Sequence, residues 1–306
     1  MLTLYGDYVL PRGGEVGIGS LIKLLDNFGL SDQAIRSAVS RMCRADLLKA
    51  RRVGRRSYYS LTENGQRLLT KGARRIFERK NNYWDASWSI VVYSIPEPRR
   101  EARDKLRLEL SWMGYGALSE ATWISPYDLT NEVEDLVDRL QIREHVQIFW
   151  ARLMSSECRV PSSEGGGDSG LRTQGSVLVS RCWDLVRIHQ RYADFIAKYR
   201  PRLEDHLRRL ESGASGEAIP PSECFVERFT LIHEYRKFPF FDPDLPRELL
   251  PDNWLRPQAA ALFHEYHGLL ADRANEYFES VFKEYGFDKS NPYKGVIKGE
   301  VCRDRV

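Results

Sequence analysis

The chain has 306 residues, 42% hydrophobic and 29% charged, a globular composition with length for two or three domains, which excludes disorder as the default. Net charge is only +3, but residues 1–80 hold 16 Lys and Arg against 7 Asp and Glu, a net of +9, while the remainder holds 30 against 36, a net of −6. That asymmetry suits a nucleic-acid-binding head on an acidic body with other work.

Taken in order, Leu2–Leu10 reads as a weak helix interrupted by Gly6, ended by the PRGGE turn. Val16–Ile18 reads as a short strand able to pair with a later hairpin. A second helix is expected from Ser20, with Leu21, Leu24, Leu25 and Phe28 inward and Gly29 closing it. Ser31 is a good N-cap, with Asp32 in the first turn where its charge complements the helix dipole. On the helical wheel Ile35, Ala38, Val39 and Met42 share one face. Gln33, Arg36, Ser37, Ser40, Arg41 and Arg44 share the opposite one. Only two residues separate this helix from the preceding one, so the pair must cross sharply, as helix-turn-helix pairs do.

Leu48–Val53 and Ser57–Leu61 flank Gly54-Arg55, a two-residue II′ turn signal. The predicted hairpin carries Arg51, Arg52, Arg55 and Arg56 around its tip. A donor-bearing helix followed by a basic hairpin is the winged helix-turn-helix arrangement, with the helix in the major groove of double-stranded DNA and the wing against phosphates or minor groove. The alternative is a solvated helix and an ordinary charged hairpin. Thr62 is expected to cap a further helix to about Glu78, lined by Arg67, Lys71, Arg74, Arg75 and Arg79.

The stretches LYGDYVLPRGGEVGIGSL, RSAVSRM and RRVGRRSYYSLTENG resemble the N-terminal domain of the phenylacetate-degradation repressor (PaaX) family, and the similarity continues to near the C-terminus. Two departures stand out. Gly17 replaces a large aromatic or aliphatic residue, and Asp46-Leu47 replaces the usual Gly-Trp after the recognition helix, which makes that corner the place where the structure is first expected to differ.

Ser87–Ser94 reads as a strand, Arg99–Met113 as a helix with Ala102, Leu106, Leu110 and Met113 inward, Gly114–Leu118 and Ala121–Ile124 as strands, a helix capped by Asn131 as running to Leu140, and Val146–Leu153 as a closing strand. This order fits a ferredoxin-like α/β sandwich over 84–155. The resemblance likens it to the small subunit of CRISPR integration complexes, whose nuclease members carry an acidic residue where the first strand ends. Here that strand ends Ser94-Ile95-Pro96, and the first carboxylate is Glu97, so packing or dimerisation is expected instead. Residues 156–176, rich in Gly and Ser, read as a linker.

Residues 177–306 read as mostly helical: a run from Trp183 ending at Pro201, a second to Leu210, a loop over 212–222, a helix over Phe225–Phe238, a Pro-punctuated segment, and one long helix over Gln258–Tyr285. The fold class expected is therefore α+β and multidomain, with the winged helix-turn-helix domain at 1–80. ERFTLIHEYRKFPFFDPDLPRELLPDNW, Glu227–Trp254, also resembles the family. There the C-terminal region is effector-responsive and the implied effector is phenylacetyl-coenzyme A, which needs an apolar slot and cations for its phosphates. The candidate effector residues are Arg228, His233, Arg236 and Trp254. The structural alternative has the Asp242-Pro243-Asp244 turn accept arginine hydrogen bonds in a core joint.

Five cysteines, Cys43, Cys158, Cys182, Cys224 and Cys302, are odd in number and unpaired in spacing, which points to reduced thiols. His264 and His267 stand at i,i+3, but the metalloprotease H-E-x-x-H spacing is missing and no third ligand is evident. Gly165–Gly167 follow no strand, and no G-x-S-x-G elbow occurs. No catalytic residue, metal or cofactor is expected. No apolar run approaches the ~18 residues of a membrane span, and no signal segment opens the chain, so a cytoplasmic protein without a membrane partner is expected. The reading is a dimeric repressor of aromatic-acid catabolism genes, relieved by the acyl-CoA thioester as the resemblance implies. A CoA-thioester enzyme and a non-specific DNA-binding protein are the alternatives.

Overall fold

The computed structural model describes residues 1–77, 84–153, 174–212 and 219–285. They belong to two compact units, the first drawn from Met1–Glu78, Phe195–Arg236 and Gln258–Val306, the second from Arg79–Asp194 and Lys237–Pro257. Most of the linker expected over 156–176, and residues 213–218 of the second expected loop, lie outside the described residues.

In the first unit the N-terminal helix departs from plain α-helical winding. It passes from α1 (Leu2–Leu4) through a π turn (Tyr5–Val9) to a 3-10 turn (Leu10–Arg12), before Gly13 and Gly14 reverse the chain at positive φ. Strand β1 (Glu15–Gly17) follows, then α2 (Ile18–Asp26). Helix α2 starts two residues before the expected Ser20, because Gly17 in extended geometry is its N-cap and Ser20 is buried inside the first turn. Gly29, at φ 70, turns the chain into α3 (Asp32–Arg44). The Ser31 Oγ accepts from the Ala34 amide at 3.3 Å, the expected cap.

Strands β2 (Leu48–Val53) and β3 (Arg56–Leu61) pair antiparallel with Val53 opposite Arg56, and β1 adds to the other side of β3. Helix α4 (Glu63–Phe77) starts where Thr62 Oγ1 accepts from the Gly65 amide at 3.0 Å. A Cβ on Gly65 would stand 2.2 Å from the Leu47 carbonyl oxygen. Only glycine lets α4 begin so close to the corner between α3 and β2.

The remaining described elements of this unit are helices: residues 195–211 of α8 (Leu185–Glu211), α9 (Pro221–Tyr235), residues 258–269 of α10 (Arg256–Leu269), and α11 (Ala271–Tyr285). Three expectations are corrected. Pro201 lies inside α8 instead of ending it, since Phe195, Tyr199, Leu203 and His206 are buried on one face across it while the ring itself is exposed. The run over Gln258–Tyr285 is two helices joined at the buried Leu270. Gly268 weakens the end of the first, and Asp272 favours the start of the second. Helix α9 likewise ends at Tyr235, short of Phe238.

The second unit holds β4 (Ser87–Tyr93), α5 (Arg100–Met113), β5 (Gly116–Ser119), β6 (Thr122–Ser125), α6 (Thr130–Arg139), β7 (Val146–Arg152) and α7 (Gln174–Cys182). Its sheet order is β5-β6-β4-β7, antiparallel throughout. With two helices in β-α-β-β-α-β order, that is the ferredoxin-like arrangement expected. Helices α5 and α6 cover one face, where Val91, Tyr93, Leu106, Leu110, Val133, Leu136 and Ile142 form the core. Trp88, Ile124, Val179, Leu245 and Leu249 form a second cluster. Asn131 is not the cap of α6: the helix opens at Thr130, whose amide the Asp128 carboxylate accepts at 3.1 Å.

Candidate nucleic-acid interface

Helix α3 is seated by Ile35 and Val39, both buried, with Ala38 and Met42 half-buried beside them. Its opposite face presents Gln33, Arg36, Ser37, Ser40, Arg41 and Arg44 to solvent, none of them buried. Arg41 Nη1 donates to Ser37 Oγ at 3.3 Å, one turn back along the same face. The face therefore offers hydroxyl, amide and guanidinium groups to a partner.

The helix ends at the corner where the sequence departs from the PaaX pattern. Asp46 takes φ 52, its amide donates to Cys43 O, and the Leu47 amide donates to Met42 O at 2.9 Å. These are the paired bonds of a Schellman motif, with aspartate in the left-handed position that glycine normally fills. The corner closes as a glycine-capped helix end does, with aspartate in place of glycine.

The hairpin turns at Gly54, φ 58, while Arg55 is not at positive φ; left-handed geometry at the first central position alone is the II′ pattern. Arg52, Arg55 and Arg56 are exposed around the tip, and Arg52 Nε donates to Gly54 O at 3.2 Å. Arg51 differs from the rest of the set. Its Nε and Nη2 donate to the two carboxylate oxygens of Glu15 at 2.9 and 2.6 Å, and its guanidinium lies 5.3 Å from the Tyr58 ring centroid. A bidentate pair to a buried carboxylate is rigid, so Arg51 ties the hairpin to β1. Glu15, which sequence reasoning passed over, is its anchor. Tyr5 Oη donates to Tyr59 O at 3.0 Å, and burial pushes that phenol's pKa up. Arg67 on α4 is exposed. The side chains of Lys71, Arg74, Arg75 and Arg79 lie outside the described residues.

Comparison with known proteins bears on what this arrangement serves. Residues 1–65 match the model described as PaaX-like protein, 81–161 the PaaX protein central Cas2-like domain, and 183–280 the PaaX-like protein C-terminal domain. The chain belongs to the PaaX family. It is 32% identical over 257 residues to Transcriptional repressor PaaX of Escherichia coli (strain K12), covering 82% of this chain and 73% of that protein. Uncharacterized protein Rv0674 from Mycobacterium tuberculosis shares the fold, with a TM-score of 0.51, 20% identity, and coverage of 85% of this chain and 90% of that one.

Within the family's C-terminal region the four effector candidates have different surroundings. Arg228 is buried and held by Asp7. His233 stacks on Phe229 at 6.3 Å between ring centroids. Arg236 caps the C-terminus of α9, its Nε buried without a hydrogen-bond partner among the described residues, and desolvation lowers its pKa. Trp254 belongs to the second unit, against His189 and Tyr192. The Asp242-Pro243-Asp244 turn does take an arginine, but it is Arg256, which pairs with Asp244 and stands 3.8 Å from Asp242.

Helix α10 places His264 and His267 on one helix, yet no group of three metal-ligating residues occurs among the described residues. No described helix is long and apolar enough to cross a membrane.

Proposed function

We propose that this PaaX-family chain is a DNA-binding transcriptional repressor of phenylacetate catabolism genes. It binds an operator as a homodimer through a winged helix-turn-helix head at residues 1–80, with the 84–155 sandwich and the 177–306 region as its body. The observation that carries the reading is the α3 face: six solvent-facing donor or cationic residues beside a hairpin tip with three exposed arginines, in a chain similar to a transcriptional repressor. Arg36, Arg41 and Arg44 reach base edges in the major groove, where arginine reads guanine through two bonds. Arg52, Arg55 and Arg56 set the register on the phosphates. Phenylacetyl-CoA relieves repression by favouring a conformation whose heads no longer match their half-sites. The protein works in the cytoplasm and performs no chemistry.

A gel shift on the promoter nearest its own gene, with and without phenylacetyl-CoA, tests this. Arg41→Ala should cost about 1–3 kcal/mol on the operator and little on unrelated DNA, whereas Arg55→Ala should weaken both and lower the salt slope by about one unit. Equal binding of the wild-type protein to operator and random DNA would point to a non-specific binder. Loss of the thioester on incubation would point to an enzyme.

A further inference from the structure

The first helical segment carries one buried acid. Asp7 sits on the π turn Tyr5–Val9, and the deep burial of its carboxylate would raise its pKa. The nearby His267 ring and the charges of Arg228 and Arg12 outweigh that and hold it below the usual aspartate value. From α9, Arg228 Nη1 and Nη2 donate to its two oxygens at 2.6 and 3.3 Å. From α10, His267 Nε2 stands 3.4 Å from Oδ1, and the His267 carbonyl accepts from Arg228 Nε at 3.2 Å. The Arg228 and Asp7 side chains are each only 8% exposed.

Neighbouring contacts point the same way. The Arg228 guanidinium lies 5.1 Å from the Tyr8 ring centroid, and Tyr8 packs between Phe225 of α9 and Phe278 of α11, both at 5.1 Å. Arg12 donates to Asn275 and Glu279 of α11. Asn27, at the end of α2, donates to Tyr277 at 2.9 Å. The segment leading into β1 and α2 is thereby gripped by three C-terminal helices. A buried ion pair is a weak stabiliser, since desolvation cancels most of its attraction, but its directionality admits one geometry where an apolar contact admits several.

We infer that the Asp7–Arg228–His267 joint is a positioning device through which helices α9 and α10 set the orientation of α2 and α3. Arg228 is then a coupling residue and not a contact for the effector's phosphates. The inference rests on the proposed DNA binding for one of its readouts only.

The test uses the full chain and separates specification from stability. Asp7→Asn strands a buried guanidinium, so both the melting temperature and operator affinity should fall. Asp7→Leu with Arg228→Met removes both charges together. The melting temperature should then recover while operator affinity stays about tenfold down, with an unchanged salt slope because no phosphate contact is lost. In that double variant, amides of α2 and α3 should exchange about tenfold faster, those of β4–β7 at the wild-type rate. Recovery of affinity along with melting temperature, or faster exchange confined to Tyr5–Val9 and α9, would overturn the inference. Arg228→Lys, which keeps the charge and loses the two-pronged bond, carries the same readouts if the double variant does not fold. Should wild-type protein fail to prefer its promoter, the functional reading falls while the exchange measurement still decides the joint.

Discussion

A single aspartate at the end of α3 takes a position that glycine usually fills. Asp46 holds φ 52 with both Schellman bonds made, and Thr62 Oγ1 donates to its carbonyl. Left-handed backbone costs an L-residue roughly 1–2 kcal/mol, less for aspartate, and glycine removes that cost. Asp46→Gly should therefore raise stability by about 1 kcal/mol, read as a shift in chemical denaturation midpoint at constant slope, with operator affinity unchanged. A lower midpoint would mean that the aspartate side chain itself supports the corner. Arg51 gives the complementary case at the same scale. Its sequence neighbours share its charge, but the cross-strand carboxylate of Glu15 takes both its donors. Nothing local in ARRVGRRS distinguishes the arginine that braces from those that face outward, because the partner lies 36 residues away.

At the scale of elements, local chemistry is readable wherever the deciding atoms are close in sequence. The Ser31 cap, the Gly29 turn and the hairpin at Gly54 all depend on residues within a few positions, and each is found as expected; the sandwich is found too, its order following from the alternation of strand and helix patterns although its strands pair across as many as 65 residues. Pro201 misleads because its local effect is real but is outvoted by burial on both sides of it, and the joint at Leu270 is hidden inside an unbroken helical pattern. Asp7 escapes notice for the reason Glu15 does: an acid in a weak helix carries no signal until Arg228, 221 residues on, is brought to it.

Helix α8 also carries His206, buried, with Nδ1 unpartnered among the described residues. Desolvation lowers its pKa below 6.5, Arg209 and Arg273 add to that, and Asp205 and Glu227 oppose it. Tyr266 of α10 packs on its ring. With the folded pKa depressed, the unfolded chain takes up a proton below pH 6.5 that the folded one resists. Stability should thus be full above that pH and decline as pH falls from about 6.5 towards the lowered value. His206→Gln should flatten this decline in a comparison of unfolding free energy at about pH 7 and about pH 5.5; an identical decline in both proteins would assign the pH dependence elsewhere.

For the whole molecule, the charge division raises a question that the proposed effector makes sharp. An acyl-CoA is itself a polyanion, so a head of net +9 offers it a crude electrostatic site as well as any dedicated one. On the proposed reading, displacement at the α3 face and a conformational shift from the C-terminal helices would each release the operator, and they differ in which residues the ligand feels. If binding and release are linked through two conformations, the factor by which phenylacetyl-CoA lowers operator affinity must equal the factor by which operator lowers phenylacetyl-CoA affinity, in the range of about 5–150-fold. Titrating the ligand into free and operator-saturated protein measures the second factor directly. If the ligand site lies in the C-terminal helices, as proposed, Arg41→Ala protein should bind the ligand as the wild type does, with the same salt dependence, because the proposed role of its guanidinium is contact with DNA alone. Ligand affinity that falls with Arg41→Ala, or drops steeply with salt, would place the acyl-CoA on α3 and make release a competition between two anions. Equal ligand affinity with and without operator, in a protein that still lets go of DNA, would mean that release does not arise from binding to this chain.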